Sequence, residues 1–125
     1  MIDYRLDKQD AILYVRPTGP LRQEDFEQLS KAVDPFIEET GGLSGLILEV
    51  VRFPGWEDLG AAVRHFHFVR DHHKKIRKIA VVTDSPLGYA AEHITSHFVS
   101  AEVKRFPQGQ FEAARSWIAS EPKSD

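Results

Sequence analysis

The sequence has no cysteine and no long uninterrupted apolar stretch. Without cysteine, disulfides, thiol nucleophiles, iron–sulfur clusters and thiolate zinc sites are all excluded. Charge begins at Asp3, so the start of the chain lacks the apolar segment of about 7–15 residues that a secretory signal needs. No window approaches the roughly 18–20 apolar residues of a membrane span. We therefore expect a cytoplasmic protein with no integral membrane association.

The sequence also lacks a strong excess of either charge. Its 16 Lys and Arg residues stand against 19 Asp and Glu, a formal net charge of −3. Nucleic-acid-binding domains usually carry a clear basic excess, so we expect no nucleic-acid partner. Basic residues do cluster over residues 64–78. This run either holds an anionic group or is a solvated helix end that follows the helix dipole.

The length predicts one domain. A chain of 125 residues with 42% hydrophobic residues can form a single core. The last residues are polar and show no hydrophobic period. We therefore expect one domain over residues 1–119 and a flexible C-terminal tail over residues 120–125.

The hydrophobic pattern alternates between strand and helix periods. Strands are predicted over residues 2–6, 11–15, 43–51, 79–82 and 101–106, and helices over residues 21–39, 56–73, 87–97 and 111–119. This order, β-β-α-β-α-β-α-β-α, is typical of an α/β fold. It predicts a mixed, mostly parallel five-stranded sheet with helices on both faces, and an antiparallel hairpin strand at one edge. Pro35 should kink the first helix or split off its last turn.

Ligands in α/β sheets usually bind at the carboxyl edge of the parallel strands. Three predicted loops meet there, around residues 53–56, around residues 83–86 and after residue 106. Aromatic side chains near these loops could form a pocket for an acyl chain or another small hydrophobe, or they could be ordinary core. The predicted ligand-binding residues are Phe53, Trp56, Phe66, Asp84, Tyr89 and Phe106.

Histidines lie on two of the predicted helices. His93 and His97 are four residues apart and share a face, but no third metal ligand is readable. We therefore predict no metal and no cofactor. No Ser or Cys stands at a readable spacing for a catalytic triad, so no catalytic residue is assigned. The second helix carries four histidines that we interpret as surface and rim residues: His65, His67, His72 and His73.

Several short segments resemble one protein family. They are Gly19 with Glu24-Asp25-Phe26, Pro35, Phe53 with Gly55-Trp56, the strand end at residues 80–84, residues 101–106, and Glu112-Ala113 with Trp117. Together they resemble the SpoIIAA-like family of small STAS-type domains, which are related in fold to anti-sigma-factor antagonists and to CRAL-TRIO lipid-binding domains. The resemblance covers nearly the whole chain and implies the STAS-like fold.

One departure from that pattern bears on function. Anti-sigma-factor antagonists carry a phosphorylatable Ser at the start of the helix after the central strand. Residues 51–58 contain no Ser or Thr, and Glu57 and Asp58 already occupy the positive end of the helix. The phosphorylation switch is therefore not expected here. Arg22, where the family often places a capping Thr, implies a weaker helix cap.

Two functions remain open from the sequence. The first is a non-catalytic binding or regulatory module that docks to a protein partner or holds a small apolar or lipid-like ligand. The alternative is a small α/β enzyme that uses a His or Asp site at the carboxyl edge. A homodimer is compatible with either, because symmetric dimers are the commonest assembly.

Overall fold

A five-stranded sheet with strand order β1-β2-β3-β4-β5 forms the centre of the molecule. The structure is a computed structural model that describes residues 1–52, 54–84 and 100–120. The strands are β1 (Ile2–Asp7), β2 (Ile12–Pro17), β3 (Leu43–Glu49), β4 (Ile76–Val82) and β5 (Glu102–Phe106), and the helices are α1 (Gln23–Thr40), α2 (Leu59–His72) and α3 (Phe111–Ala119). β1 is antiparallel to β2, and the remaining neighbours are parallel. This confirms the mixed, mostly parallel sheet with an antiparallel edge strand.

Two predicted elements cannot be followed in full. The helix predicted over residues 87–97 lies outside the described residues, as do His93 and His97. Of the tail predicted over residues 120–125, only Ser120 is described. Among the helices of the described ranges, none has the length and apolarity needed to cross a membrane.

The β1–β2 hairpin is closed by a turn at Asp7. The carboxylate of Asp7 accepts hydrogen bonds from the backbone N–H groups of Gln9 and Asp10, at 3.0 and 3.1 Å. Ala11 completes the turn in the left-handed region, with φ of 57°. This turn sets the register, in which Asp7 lies opposite Ile12 and Arg5 opposite Tyr14.

Strand alternation divides the core into two layers. On one face of the sheet, Leu13 and Val15 pack against α1 through residues that include Leu29 and Val33. On the other face, Ile12 and other strand residues pack against α3 in a second cluster. Helices therefore cover both faces, as predicted.

Pro35 does not divide α1. The helix continues through Pro35 to Thr40, so the last turn is not split off; the other predicted outcome, a kink at Pro35, stays a prediction. Proline removes one backbone donor from a helix interior. The neighbouring side chains Val33, Phe36 and Ile37 are buried against the sheet, and their packing stabilises the helix across this position.

α2 begins three residues later than predicted. Trp56 is extended and forms an isolated parallel bridge with Leu21. The backbone N–H of Leu21 donates to the Gly55 carbonyl, at 2.8 Å. Asp58 is the N-cap of α2, and its carboxylate accepts from the Ala61 N–H at 2.8 Å. An acidic N-cap satisfies an orphan donor and so fixes the start of the helix.

The buried side of α2 is not the side that the hydrophobic period indicates. Apolar residues at a helical period usually mark the packed face of a helix, but Leu59, Val63 and Phe66 are 79%, 45% and 68% exposed. The opposite side of α2 packs on α1. There Phe68 lies 6.0 Å from the ring of Phe26, centroid to centroid.

α3 is fixed to the sheet at its C-terminal end. Gly45 of β3 leaves room for Ile118, because a Cβ at Gly45 would lie 2.5 Å from Ile118 Cγ2. Beside it, the ammonium of Lys78 donates to the carbonyls of Trp117 and Ser120 and to the Ser120 hydroxyl, at 2.8, 3.1 and 2.8 Å. Lys78 is only 4% exposed. It supplies the positive charge that favours a helix C-terminus, a charge that α3 itself lacks in its last turn.

Candidate functional site

The described members of the predicted ligand site do not form one pocket. Phe106 is buried in the layer beneath α3, with its ring 5.8 Å from the ring of Trp117. Trp56 and Phe66 lie on the other side of the sheet with α2, and they are 44% and 68% exposed. Asp84 is exposed, and its carboxylate accepts from the backbone N–H of Gln108 at 2.9 Å.

Two predicted ligand residues cannot be placed. Phe53 and Tyr89 lie outside the described residues. A ligand-binding role for the six residues therefore stays a prediction.

Trp56 is held by a histidine of α2. Its indole Nε1–H donates to His65 Nδ1 at 3.2 Å, which requires Nδ1 to be unprotonated. The His65 ring also stacks on Phe26, with centroids 4.9 Å apart. Burial lowers the pKa of His65 below its ordinary value. Both observations favour a neutral imidazole, so His65 acts here as a hydrogen-bond acceptor for Trp56.

His72 connects α2 to α1 and is buried, so its interpretation as a surface residue is wrong. Its Nδ1 lies 2.7 Å from the Phe68 carbonyl oxygen, and its Nε2 lies 2.6 Å from a carboxylate oxygen of Asp34. The ring also stacks on Phe68, with centroids 4.1 Å apart. A ring with both nitrogens engaged in this way has a structural role in joining the two helices.

The other described histidines form no metal centre. His73 Nδ1 accepts from the Ser100 backbone N–H at 3.0 Å. His67 is half-buried on α2. Within residues 1–52, 54–84 and 100–120, no three His, Asp or Glu side chains come together in a way that could hold a metal ion.

The basic run over residues 64–78 is dispersed by the fold. Arg64 lies 3.5 Å from Glu27 and Arg70 lies 3.0 Å from Asp71, in exposed ion pairs. Lys78, predicted to lie in a run that either binds an anionic group or is a solvated helix end, is buried beneath α3. Lys74, Arg77 and Lys78 line a cavity of about 330 Å³ near the amino edge of the sheet, where Glu102 also lies. The run therefore does not present one continuous basic surface.

α2 instead presents an apolar surface with a charged end. Leu59, Val63, Phe66 and Arg70 recur at intervals of four, three and four residues, so they lie on one side of the helix. We call these four residues the α2 stripe. The first three are exposed apolar side chains, and Arg70 is also exposed. Exposed apolar groups in a contiguous row are typical of interaction surfaces.

A groove of about 300 Å³ lies on the α3 side of the sheet, near the carboxyl ends of β2 and β3. We call it the Tyr14 groove. Its lining residues are Asp3, Tyr4, Arg5, Tyr14, Val15, Arg16, Ile47, Glu49 and Phe111. α3 reaches it only at its first residue, Phe111, and so leaves this part of the sheet uncovered.

Tyr14 is the central side chain of the groove. It is 8% exposed, and its buried hydroxyl has no hydrogen-bond partner among residues 1–52, 54–84 and 100–120. Its ring stacks on Phe111, with centroids 5.3 Å apart. The guanidinium of Arg5 lies 4.2 Å from the ring centroid. The sequence indicated only that Tyr14 is a strand residue. The sequence signal that could have indicated a site is the spacing of Tyr14 and Arg16, which places an aromatic side chain and a cation on the same face of β2.

Charges of both signs surround Tyr14. Arg16 lies 3.4 Å from Asp3 in an exposed ion pair. Among the described residues, neither Arg5 nor Glu49 has an ion-pair partner. The groove therefore combines a cation and a carboxylate that have no ion-pair partner among the described residues with a buried hydroxyl that has no hydrogen-bond partner among them.

Comparisons with known proteins agree with this architecture. The crystal structure of an uncharacterised protein from the DUF3478 family of Shewanella loihica PV-4, with a SpoIIAA-like fold, matches with a TM-score of 0.74 and 21% identity. The match covers 94% of this chain and 92% of that one, and at this identity it shows the fold alone. A search of curated proteins gives no match. The SpoIIAA-like family model matches residues 12–119, and the chain therefore belongs to the SpoIIAA-like family.

Proposed function

We propose that this chain is a non-catalytic binding module that docks through the α2 stripe, and that the stripe is occupied by a second copy of the chain. The observation that carries this proposal is the exposure of Leu59 and Phe66, at 79% and 68%, on a helix whose other side is buried against α1. A second copy can cover such a row of side chains by presenting the same row.

The charges along α2 support a pairing of two copies in opposite directions. Arg70 follows Val63 by seven residues, so it lies about 10 Å further along the helix axis. Glu57 and Asp58 lie on the other side, before the first turn. A two-fold axis near Val63 would bring Arg70 of each copy next to Glu57 of the other. Glu57 also lies 3.2 Å from Arg22 of its own chain, but both partners are half exposed, and such a pair contributes little.

The alternative, an enzyme with a His or Asp site at the carboxyl edge, has less support. The Asp84 carboxylate already accepts a hydrogen bond from the Gln108 backbone N–H. His65 and His72 are engaged in packing and hydrogen bonds. A lipid-like ligand also has little support, since the Tyr14 groove is lined by four charged side chains. A docking role agrees better with this arrangement.

Sedimentation velocity over a range of about 1 µM to 1 mM tests the proposal. We expect a reversible dimer in the wild type and a monomer in Phe66→Glu. A two-fold interface would contain two copies of Phe66, so their loss weakens association by about 3 kcal/mol, or roughly 150-fold. Val51→Glu is the matched control, because Val51 is an equally exposed apolar residue outside α2.

Charge reversal tests the direction of pairing. Arg70→Glu should weaken the dimer, because it would place two carboxylates together, and the double variant Glu57→Arg/Arg70→Glu should restore it. A wild type that stays monomeric at about 1 mM contradicts the second-copy proposal. A Phe66→Glu variant that dimerises like the wild type places the interface elsewhere.

A further inference from the structure

We infer that the Tyr14 groove binds a small zwitterion, namely an amino acid with an apolar, planar side chain. This inference goes beyond the docking role and does not depend on it, because the groove lies on the α3 side of the sheet and the stripe lies on α2.

The hydroxyl of Tyr14 is the first reason. Buried polar groups in folded proteins are almost always hydrogen-bonded, and an orphan hydroxyl costs free energy. In the part of the chain that the structure describes, the buried Tyr14 hydroxyl has no partner, and the Tyr14 side chain lines the groove. Phenylalanine would give the same packing without this cost. A tyrosine at this position is explained by a ligand that displaces the side chain covering the hydroxyl and then accepts or donates a hydrogen bond there.

The charges define the ligand class. Within the described residues, the Arg5 guanidinium is engaged with the Tyr14 ring alone, and the Glu49 carboxylate has no ion-pair partner. A simple anion in the groove would meet Glu49, and a simple cation would meet Arg5. A molecule with a carboxylate and an ammonium group matches both charges at once.

The remaining walls favour a flat apolar group. Phe111 stacks on Tyr14 and lines the groove as a half-buried aromatic side chain. Aromatic rings bind other flat rings by offset stacking. The cavity of about 300 Å³ is at the lower end of the sizes that small-molecule sites show, which suits a ligand the size of one amino acid.

Titration monitored by ¹H–¹⁵N NMR tests the inference with three related probes. L-phenylalanine carries both charges, 3-phenylpropionate lacks the ammonium group, and phenethylamine lacks the carboxylate. We expect phenylalanine to shift the amide signals of residues lining the groove, and the two singly charged probes to bind at least about 10-fold more weakly. No shift at about 10 mM phenylalanine, or equal binding of all three probes, overturns the inference.

Single-atom changes in the groove identify the contacts. Tyr14→Phe should weaken phenylalanine binding about 5-fold without lowering the melting temperature, since only an unpaired hydroxyl is removed. Glu49→Gln should weaken phenylalanine but leave 3-phenylpropionate unchanged, and Glu102→Gln on β5 is its control. Unchanged phenylalanine binding in both groove variants contradicts the assignment.

The Phe66→Glu variant keeps the two proposals separate. We expect it to bind phenylalanine like the wild type, because Phe66 is not part of the groove. Loss of the dimer with retained binding would support both proposals, and retained dimer with lost binding would contradict both.

Discussion

Replacement of Lys78 by methionine should destabilise the protein by about 2–3 kcal/mol. The Lys78 ammonium makes three hydrogen bonds to oxygens at the end of α3, and it lies 5.0 Å from the centroid of the Trp117 ring. Hydrogen bonds from a charged donor contribute about 1.5–3 kcal/mol each. Much of this sum is offset by the cost of removing an ammonium group from water, which is several kcal/mol. Methionine keeps most of the aliphatic packing, so the net loss reflects the hydrogen bonds and the helix dipole.

Urea unfolding measures this loss. For a domain of this size, a change of 2–3 kcal/mol lowers the urea midpoint by about 1–2 M. Lys75→Met is the matched control, because Lys75 is exposed and its change should stay within about 0.5 kcal/mol. A Lys78→Met protein as stable as the wild type, or a control that is equally destabilised, would refute the role assigned to Lys78.

Two further predictions concern packing and pH. Gly45→Ala should lower the free energy of unfolding by about 1–3 kcal/mol, because its Cβ would overlap Ile118. Gly19→Ala, where the new Cβ meets only Met1 Cβ at 4.0 Å, should be nearly neutral, and equal effects would contradict the packing argument. The lowered pKa of His65 means that the folded protein binds fewer protons than the unfolded chain. This contribution to stability is fully present above about pH 6.5 and is lost as the pH falls below it. His65→Gln can still accept from Trp56 but does not titrate, so the stability difference from wild type should change between pH 7.5 and 5.5, and a constant difference would contradict this.

The sheet was predictable from the sequence because its signals are local. The apolar run that forms β3 and the short β-rich runs that form the hairpin depend on neighbouring residues alone. The start of α2 was misplaced because Trp56 pairs with the distant Leu21. A cap signal was present at Asp58, but the hydrophobic period extended past it.

The α2 stripe and the Tyr14 groove were less predictable, because they depend on which parts of a helix or sheet are covered by other elements. A period of 3.6 identifies an apolar stripe on α2, but it does not say whether another element covers that stripe. Lys78 is a charged residue that is covered. Nothing in a basic run indicates that one of its lysines will cap a helix 39 residues later. The Tyr14 groove exists because α3 begins at Phe111 and stops short of β1, and this can be read only from the packed structure.

The hydrogen bonds of Lys78 also hold the C-terminal end of α3 at one edge of the sheet. Phe111 contacts Tyr14 near the carboxyl ends of the strands, whereas Ser120 is bound by a residue in the amino half of β4. A fluorophore or affinity tag joined after Ser120 would therefore start on the far edge of the sheet from the Tyr14 groove. Such a fusion gives immobilised protein whose groove stays accessible, which makes surface-based binding measurements with small probes practicable.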